Sequence, residues 1–163
     1  MAKRSAGLLL HRPGPSGVEV LLVHPGGPFW ARRDEGAWTV PKGEYDEGEE
    51  PAAVAEREFA EEIGVPAPAG TRRDLGELRQ RGGKWTRLWA LGADLDVSEV
   101  SSNTFEMEWP PRSGTTAVFP EVDAARWVPL AEAPRMLLAS LVPFLDRLEA
   151  LLDEEGGPPA TGR

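Results

Sequence analysis

Two short aliphatic stretches, residues 5–10 and 18–23, open the chain, and both are apolar at successive positions rather than alternate ones. Strands of that kind belong in a sheet covered on two sides. The intervening turn-rich segment, His11-Arg12-Pro13-Gly14-Pro15-Ser16-Gly17, predicts that the two pair as a hairpin. Residues 37–40 read as a further strand ended by Pro41. The period then changes. Across residues 51–63 the chain is rich in Ala and Glu, with Val54, Phe59 and Ile63 on one helical face. Pro51 suits the first turn and Gly64 the C-terminal cap, so a helix is predicted over 51–63.

Downstream, residues 74–80 and 84–93 predict a hairpin about Arg81-Gly82-Gly83, its second strand carrying Trp85, Leu88, Trp89 and Leu91. Residues 97–119 lack a clear period and contain Trp109-Pro110-Pro111-Arg112-Ser113-Gly114. They read as a long irregular loop, which inside a compact domain is functional or mobile. Residues 125–128 suggest a last short strand, and 130–140 and 141–153 give helical patterns. In the second of these, Leu141, Leu145, Leu148, Leu151 and Leu152 make an ordinary core stripe. A single domain over 1–153 is expected, followed by a Gly/Pro-rich, disordered tail over 154–163.

The 163 residues, 40% of them hydrophobic, suffice for one packed core. The absence of cysteine excludes disulfides and Cys-based zinc sites, and His11 and His24 are too few for a histidine cluster. Any metal must therefore be held by oxygen. No apolar run reaches membrane-spanning length, and residues 7–10 are too brief for a signal peptide, so the expectation is a cytoplasmic protein without a membrane partner. A net charge of −9 argues against broad nucleic-acid binding. Residues 43–65 hold nine acids and one base, a net −8, so nearly all the excess charge sits in one segment. On charge alone, a solvated helix face is the commoner explanation.

The spacing changes that picture. Glu58, Glu61 and Glu62 stand at i, i+3 and i+4, on one face within one helical turn. Concentrated oxygen ligands suit hard divalent cations, Mg2+ or Mn2+. Arg57 is placed to pair with Glu61 or with acids of the preceding loop. Bound metals would neutralise the segment and let an anionic phosphate approach.

Gly43, five residues, Glu49, seven residues, then Arg57-Glu58-Phe59-Ala60-Glu61-Glu62-Ile63-Gly64-Val65 resembles the Nudix box, G-x5-E-x7-R-E-U-x-E-E-x-G-U, at every defined position. Phe59 is aromatic where an aliphatic residue is usual. Trp38-Thr39-Val40-Pro41-Lys42-Gly43 and Arg126-Trp127-Val128-Pro129-Leu130 are also similar to Nudix domains, so the resemblance spans residues 3–150. It implies an α/β fold of the Nudix-type α/β/α sandwich with a mixed central sheet. It also implies a Mg2+-dependent hydrolase, with Mn2+ as substitute, cleaving a phosphoanhydride bond of a nucleoside diphosphate-linked or (di)nucleoside polyphosphate by water attack on phosphorus.

Carried over by position, the Gly43 carbonyl, Glu58, Glu61 and Glu62 would hold metal, while Glu49, Arg57 and Gly64 would brace the box. The general base varies across the family, and is sometimes a box glutamate. Outside the box the best candidate is Glu121, six residues before Trp127 as in the family's diadenosine polyphosphate hydrolases; Glu106 and Glu108 are weaker rivals. No covalent nucleophile is needed.

Pro41-Lys42-Gly43 resembles the diadenosine polyphosphate and diphosphoinositol polyphosphate branches, which implies that Lys42 contacts a phosphate distal to the metals. The segment 105–114 resembles that of bacterial nucleoside triphosphate pyrophosphohydrolases known only by prediction, and brings no substrate with it. Phe29, Trp30, Trp38, Trp85 and Trp109 offer aromatic faces to a base, although packing is the commoner role. Trp30 and Trp109, beside Arg32, Arg33 and Arg112, are the best placed for substrate contact. Fifteen arginines against three lysines read as a compositional bias. The expected partner is a small nucleotide or polyphosphate, with no nucleic acid and no membrane, on a monomer or homodimer. The alternatives are a house-cleaning NTP, ADP-ribose or nucleotide-sugar pyrophosphohydrolase, and a nucleotide-sensing module, against which the whole box counts.

Overall fold

Both opening stretches extend beyond their apolar cores. They form strands β1 (Arg4–Gly14) and β2 (Gly17–Pro25), an antiparallel hairpin with Gly14 opposite Gly17. The protein is seen in a computed structural model that describes residues 3–155. Toward its start β1 leaves β2 and pairs instead with β3 (Lys42–Tyr45), Gly7 facing Lys42. The chain over 39–41 fills the fork. The Leu8 N–H donates to the Pro41 carbonyl at 3.1 Å, and Thr39 exchanges bonds with Val23. Residues 37–40 are thus not the strand expected from sequence, making only single bridges between Val23 and Thr39 and between Trp38 and Leu137. The strand begins after Pro41, which has no N–H to give a ladder.

On the other side of β1 lies β5 (Trp85–Gly92), parallel to it, and β4 (Arg72–Arg79) pairs antiparallel with β5 as the expected hairpin. β8 (Val122–Pro129), longer than the 125–128 read from sequence, adds antiparallel to β2. The mixed sheet runs β4-β5-β1-β2-β8, with β3 on β1.

Strand alternation divides the apolar residues between two layers. Leu8, Leu10, Leu21 and Val23 pack with Val54, Ala55, Phe59 and Ile63 of α1 (Pro51–Ile63). Leu9, Val20, Leu22 and Leu88 pack on the opposite face with Met136 of α2 (Ala133–Met136) and Phe144, Leu145 and Leu148 of α3 (Val142–Glu155). The result is the α/β/α sandwich. Gly64 ends α1 in the left-handed region at φ 96°, its N–H donating to the Ala60 carbonyl at 2.8 Å. A side chain there would be strained.

Two further expectations are corrected. Residues 97–119 are not irregular: after a 3-10 turn at Val97–Glu99 they form a second, two-stranded sheet, β6 (Thr104–Glu108) and β7 (Thr116–Pro120). Residues 130–140 are not one helix. Pro134 allows only the short α2, the chain is extended at Leu137, and a 3-10 turn at Ala139–Leu141 leads into α3. Of the expected tail, Glu154 and Glu155 are helical and the rest lies outside the described residues. Among the described residues no helix is long and apolar enough to cross a membrane.

Candidate active site

Because α1 buries Phe59 and Ile63 completely against the sheet, Glu58, Glu61 and Glu62 are turned toward β3 and its free edge. Gly43 sits opposite Glu58, and a Cβ built there would overlap the Glu58 carboxylate. Only glycine lets strand and carboxylate approach this closely. Arg57 ties the loop to the helix. Its guanidinium donates to Glu49 at 3.0 Å and to Glu58 at 3.4 Å, and stands 3.9 Å from Glu61. Glu49 also accepts the Asp46 N–H at 2.9 Å, closing the turn before α1.

Glu121 reaches the same place by another route. Helices leave their last carbonyls without intrahelical partners. Here the Glu61 carbonyl accepts the Asn103 N–H at 2.8 Å, the Asn103 carbonyl accepts the Glu121 N–H at 2.8 Å, and the Glu121 carbonyl accepts the Gly26 N–H at 3.0 Å. This relay fastens α1, the base of the β6–β7 hairpin, the bend between β7 and β8, and the loop after β2 to one another. Glu121 is the single residue at that bend, and the β2–β8 ladder shifts register just after it, between Val122 and Ala124.

The electrostatics record the crowding. Burial, and then the neighbouring Glu58, push the Glu62 carboxyl up to about 8, against the opposing pull of Lys42. Burial and Glu61 raise Glu58, with Arg57 opposing, and burial and Glu61 raise Glu121. Burial lowers Lys42, and nearby Lys84 lowers it further. Burial and crowding together thus favour the neutral forms of Glu58, Glu62 and Glu121. The donors are hard oxygens on one helical turn, with glycine backbone packed against them, and this set fits a divalent cation. Among the described residues, no three of them already converge as metal ligands. Arg57 draws Glu58 and Glu61 to itself, while Lys42 pulls on Glu62.

The other candidates lie further out. Trp38 is buried at 4% exposure, its Nε1 donating to Asp34, so its face is closed to a ligand. Trp30 is half-buried beneath Arg33, 5.6 Å from its guanidinium, and Arg32 is exposed. Trp109 meets Phe29 edge-on at 6.0 Å, and Arg112 stands exposed in the turn of the hairpin. The hairpin brings Trp109 against Phe29, the residue before Trp30, to make an aromatic wall. Five residues of β6 separate Trp109 from Asn103, roughly 17 Å of strand, so this wall is distal to the carboxylates. Glu106 and Glu108 are exposed on the hairpin, and Glu108 accepts the Gly114 N–H at 2.8 Å as part of the turn.

Sequence reasoning missed His24 and Asn103. The buried His24 ring bonds Asp123 at 2.8 Å through Nδ1 and the Arg33 carbonyl at 2.6 Å through Nε2, pinning the loop that carries Trp30. A histidine ending an aliphatic strand before Pro-Gly-Gly was the available clue.

A family model described as NUDIX domain matches residues 1–151. The chain is 34% identical over 124 residues to an RNA pyrophosphohydrolase of Rhizobium meliloti, covering 68% of this chain and 66% of that one. It is 32% identical over 155 residues to an RNA pyrophosphohydrolase of Brucella ovis, covering 78% of each. In fold it is similar to a C. elegans Ap4A hydrolase solved as a binary complex, with a TM-score of 0.65 and 24% identity over 92% of this chain and 98% of the other.

Proposed function

Since the chain belongs to the NUDIX family and is a pyrophosphohydrolase of nucleotide phosphoanhydride bonds, we propose that Glu58, Glu61 and Glu62, with the Gly43 carbonyl, hold the divalent cations of that reaction. Magnesium is the cation this oxygen donor set favours, with manganese as substitute. When bound, it supplies charge neutralisation and polarisation of water and phosphate. The chain's own groups do the rest. Glu121, its carboxyl raised by burial and by Glu61, accepts the proton of the attacking water. The water oxygen bonds to phosphorus, the anhydride P–O bond breaks, and the bridging oxygen leaves with its electron pair on the second phosphate. A base with a raised pKa is the stronger acceptor near neutral pH. Arg57 and Glu49 hold loop and helix in register, and Gly64 ends the helix where the Asn103 and Ser101 N–H groups take over the Glu61 and Ile63 carbonyls. Lys42 contacts a phosphate beyond the metals, and Trp30, Arg32, Trp109 and Arg112 form the distal wall for a base and its phosphate.

The observation that carries this reading is the convergence of one helical turn of glutamates with Glu121 through the Glu61–Asn103–Glu121 backbone relay. The substrate is a dinucleoside polyphosphate or nucleoside triphosphate. A 5′-triphosphorylated RNA end is the second reading, favoured by the two RNA pyrophosphohydrolase relatives. The charge of −9 weighs against binding along a nucleic-acid backbone, not against holding one terminus. A magnesium-dependent screen over dinucleoside polyphosphates, NTPs, 5′-triphosphorylated RNA, ADP-ribose and nucleotide sugars, with products resolved by mass, decides among these. Hydrolysis of none of them would refute the assignment.

A further inference from the structure

A buried histidine needs a partner for each ring nitrogen, and His24 finds its two in different elements. Its Nδ1 meets the Asp123 carboxylate at 2.8 Å and its Nε2 meets the Arg33 carbonyl at 2.6 Å. Both partners are acceptors, so both ring nitrogens donate. Trp38 backs the ring edge-on, 5.2 Å between centroids, and itself donates to Asp34, the neighbour of Arg33.

The Asp123 bond falls on an irregular part of β8. Ala124 pairs with His24 and Val122 with Pro25, so Asp123 is the extra residue of a bulge. Bulges turn the strand and re-aim the side chains beside them. Glu121 stands two residues earlier, its N–H donating to the Asn103 carbonyl and its carbonyl accepting the Gly26 N–H. The His24–Asp123 bond fastens the bulge, and so the stretch that carries Glu121.

The Arg33 bond closes the loop after β2. From Pro25 the chain passes under the β6–β7 hairpin, where a side chain at Gly26 would strike the Pro120 carbonyl and one at Gly27 the Phe105 ring. It then sets Phe29 against Trp109 and Trp30 beneath Arg33, and the Arg33 carbonyl returns to His24. One side chain thus spans the carboxylate end and the aromatic end.

We propose that His24 is a positioning residue, a two-ended strut whose Nδ1 sets Glu121 for proton transfer and whose Nε2 sets the Phe29–Trp30 loop for substrate. The first end acts on kcat and the second on KM. This inference rests on Glu121 as the base and on the aromatic wall as a substrate contact.

Two substitutions separate the ends, because an asparagine amide reaches where Nδ1 stands and a glutamine amide where Nε2 stands. With dinucleoside tetraphosphate in magnesium, His24→Asn should free the Arg33 carbonyl and raise KM about tenfold, with kcat nearly unchanged. His24→Gln should free Asp123 and lower kcat about 10- to 100-fold, as a displaced catalytic group does, with KM nearly unchanged. Asp123→Ala, at an exposed position, should repeat that kcat loss without disturbing the core. Hydrogen exchange reads the strut without substrate. His24→Asn should speed exchange of the Arg33 amide, which is bonded to Trp30, and spare the Glu121 amide, which is bonded to Asn103. His24→Gln should do the opposite. A histidine that only stabilises the fold would give both variants the same losses at both amides and in both constants; that result, or parent values throughout, overturns the proposal. A Glu121→Gln protein as active as the parent, with the exchange contrast intact, would sink the base assignment and not the strut. Loss of activity in Glu121→Gln, with no difference between the two His24 variants, would sink the strut and not the base.

Discussion

Helix α1 and the β6–β7 hairpin bring polar side chains to the same end of the sheet, but they stand on different foundations. α1 buries Val54, Ala55, Phe59 and Ile63 against four strands' worth of aliphatic residues, and its glutamates inherit that rigidity. The hairpin is two strands alone. One half-buried face, with Phe105 and Phe119 at 5.9 Å, leans on the loop after β2, while Phe29 is 65% and Val118 61% exposed. A two-stranded ribbon is marginal without further packing. On the proposed reading the metal-holding glutamates therefore sit on the stable element, while Trp109 and Arg112 sit on the less packed one.

The largest effect expected to test this contrast is on turnover. Glu62→Gln removes a proposed metal ligand and should lower kcat on the order of a thousandfold, checked by steady-state kinetics in magnesium. The same residue makes a pH prediction. Its carboxyl is raised from 4.5 to about 8, so in metal-free protein it contributes stability that is complete below about 4.5 and lost as pH rises through 8. Melting of chelator-treated protein should fall across that window. Magnesium should reverse the fall, and Glu62→Gln should flatten it.

Next come the foundations themselves. Phe59→Ala should destabilise the fold by about 3–5 kcal/mol in urea unfolding. Phe119→Ala, in the hairpin, should cost well under half of that. Equal losses would erase the distinction between the two elements. Arg57→Ala should lower kcat about 10- to 100-fold by freeing Glu49 and Glu58 from their shared donor, with Arg57→Lys recovering part of it. The smallest effect belongs to Trp109→Ala. It should raise KM about tenfold through lost stacking, with kcat and melting temperature nearly unchanged.

The two regions also differ in how far their sequences disclose them. In α1 the 3.6-residue period, the proline and glycine at its ends and the i, i+3, i+4 glutamates all point one way, and helix and carboxylate face were both legible. β3 was not, because Lys-Gly-Glu-Tyr is a poor strand by composition and is extended only through its pairing with β1. The hairpin escaped notice because Trp-Pro-Pro-Arg-Ser-Gly at its turn outweighs the short alternation of Thr104 to Glu108, whose outward positions are acids. Leucine periodicity in residues 130–140 suggested a helix that Pro134 and the Trp38–Leu138 backbone bond prevent. Glu121 could be singled out by its distance from Trp127, but its link to Glu61 runs through Asn103, and no local pattern foretells a long-range backbone bond.

If the Glu58-Glu61-Glu62 face is the metal site that drives hydrolysis, the rate must depend on both the metal and Glu61. Initial rates of dinucleoside tetraphosphate hydrolysis are followed against magnesium concentration for the parent and for Glu61→Gln. The parent should be silent in chelator and saturate with magnesium, and the variant should stay near zero throughout. A parent that hydrolyses in chelator, or a Glu61→Gln protein that follows the parent's curve, would contradict it.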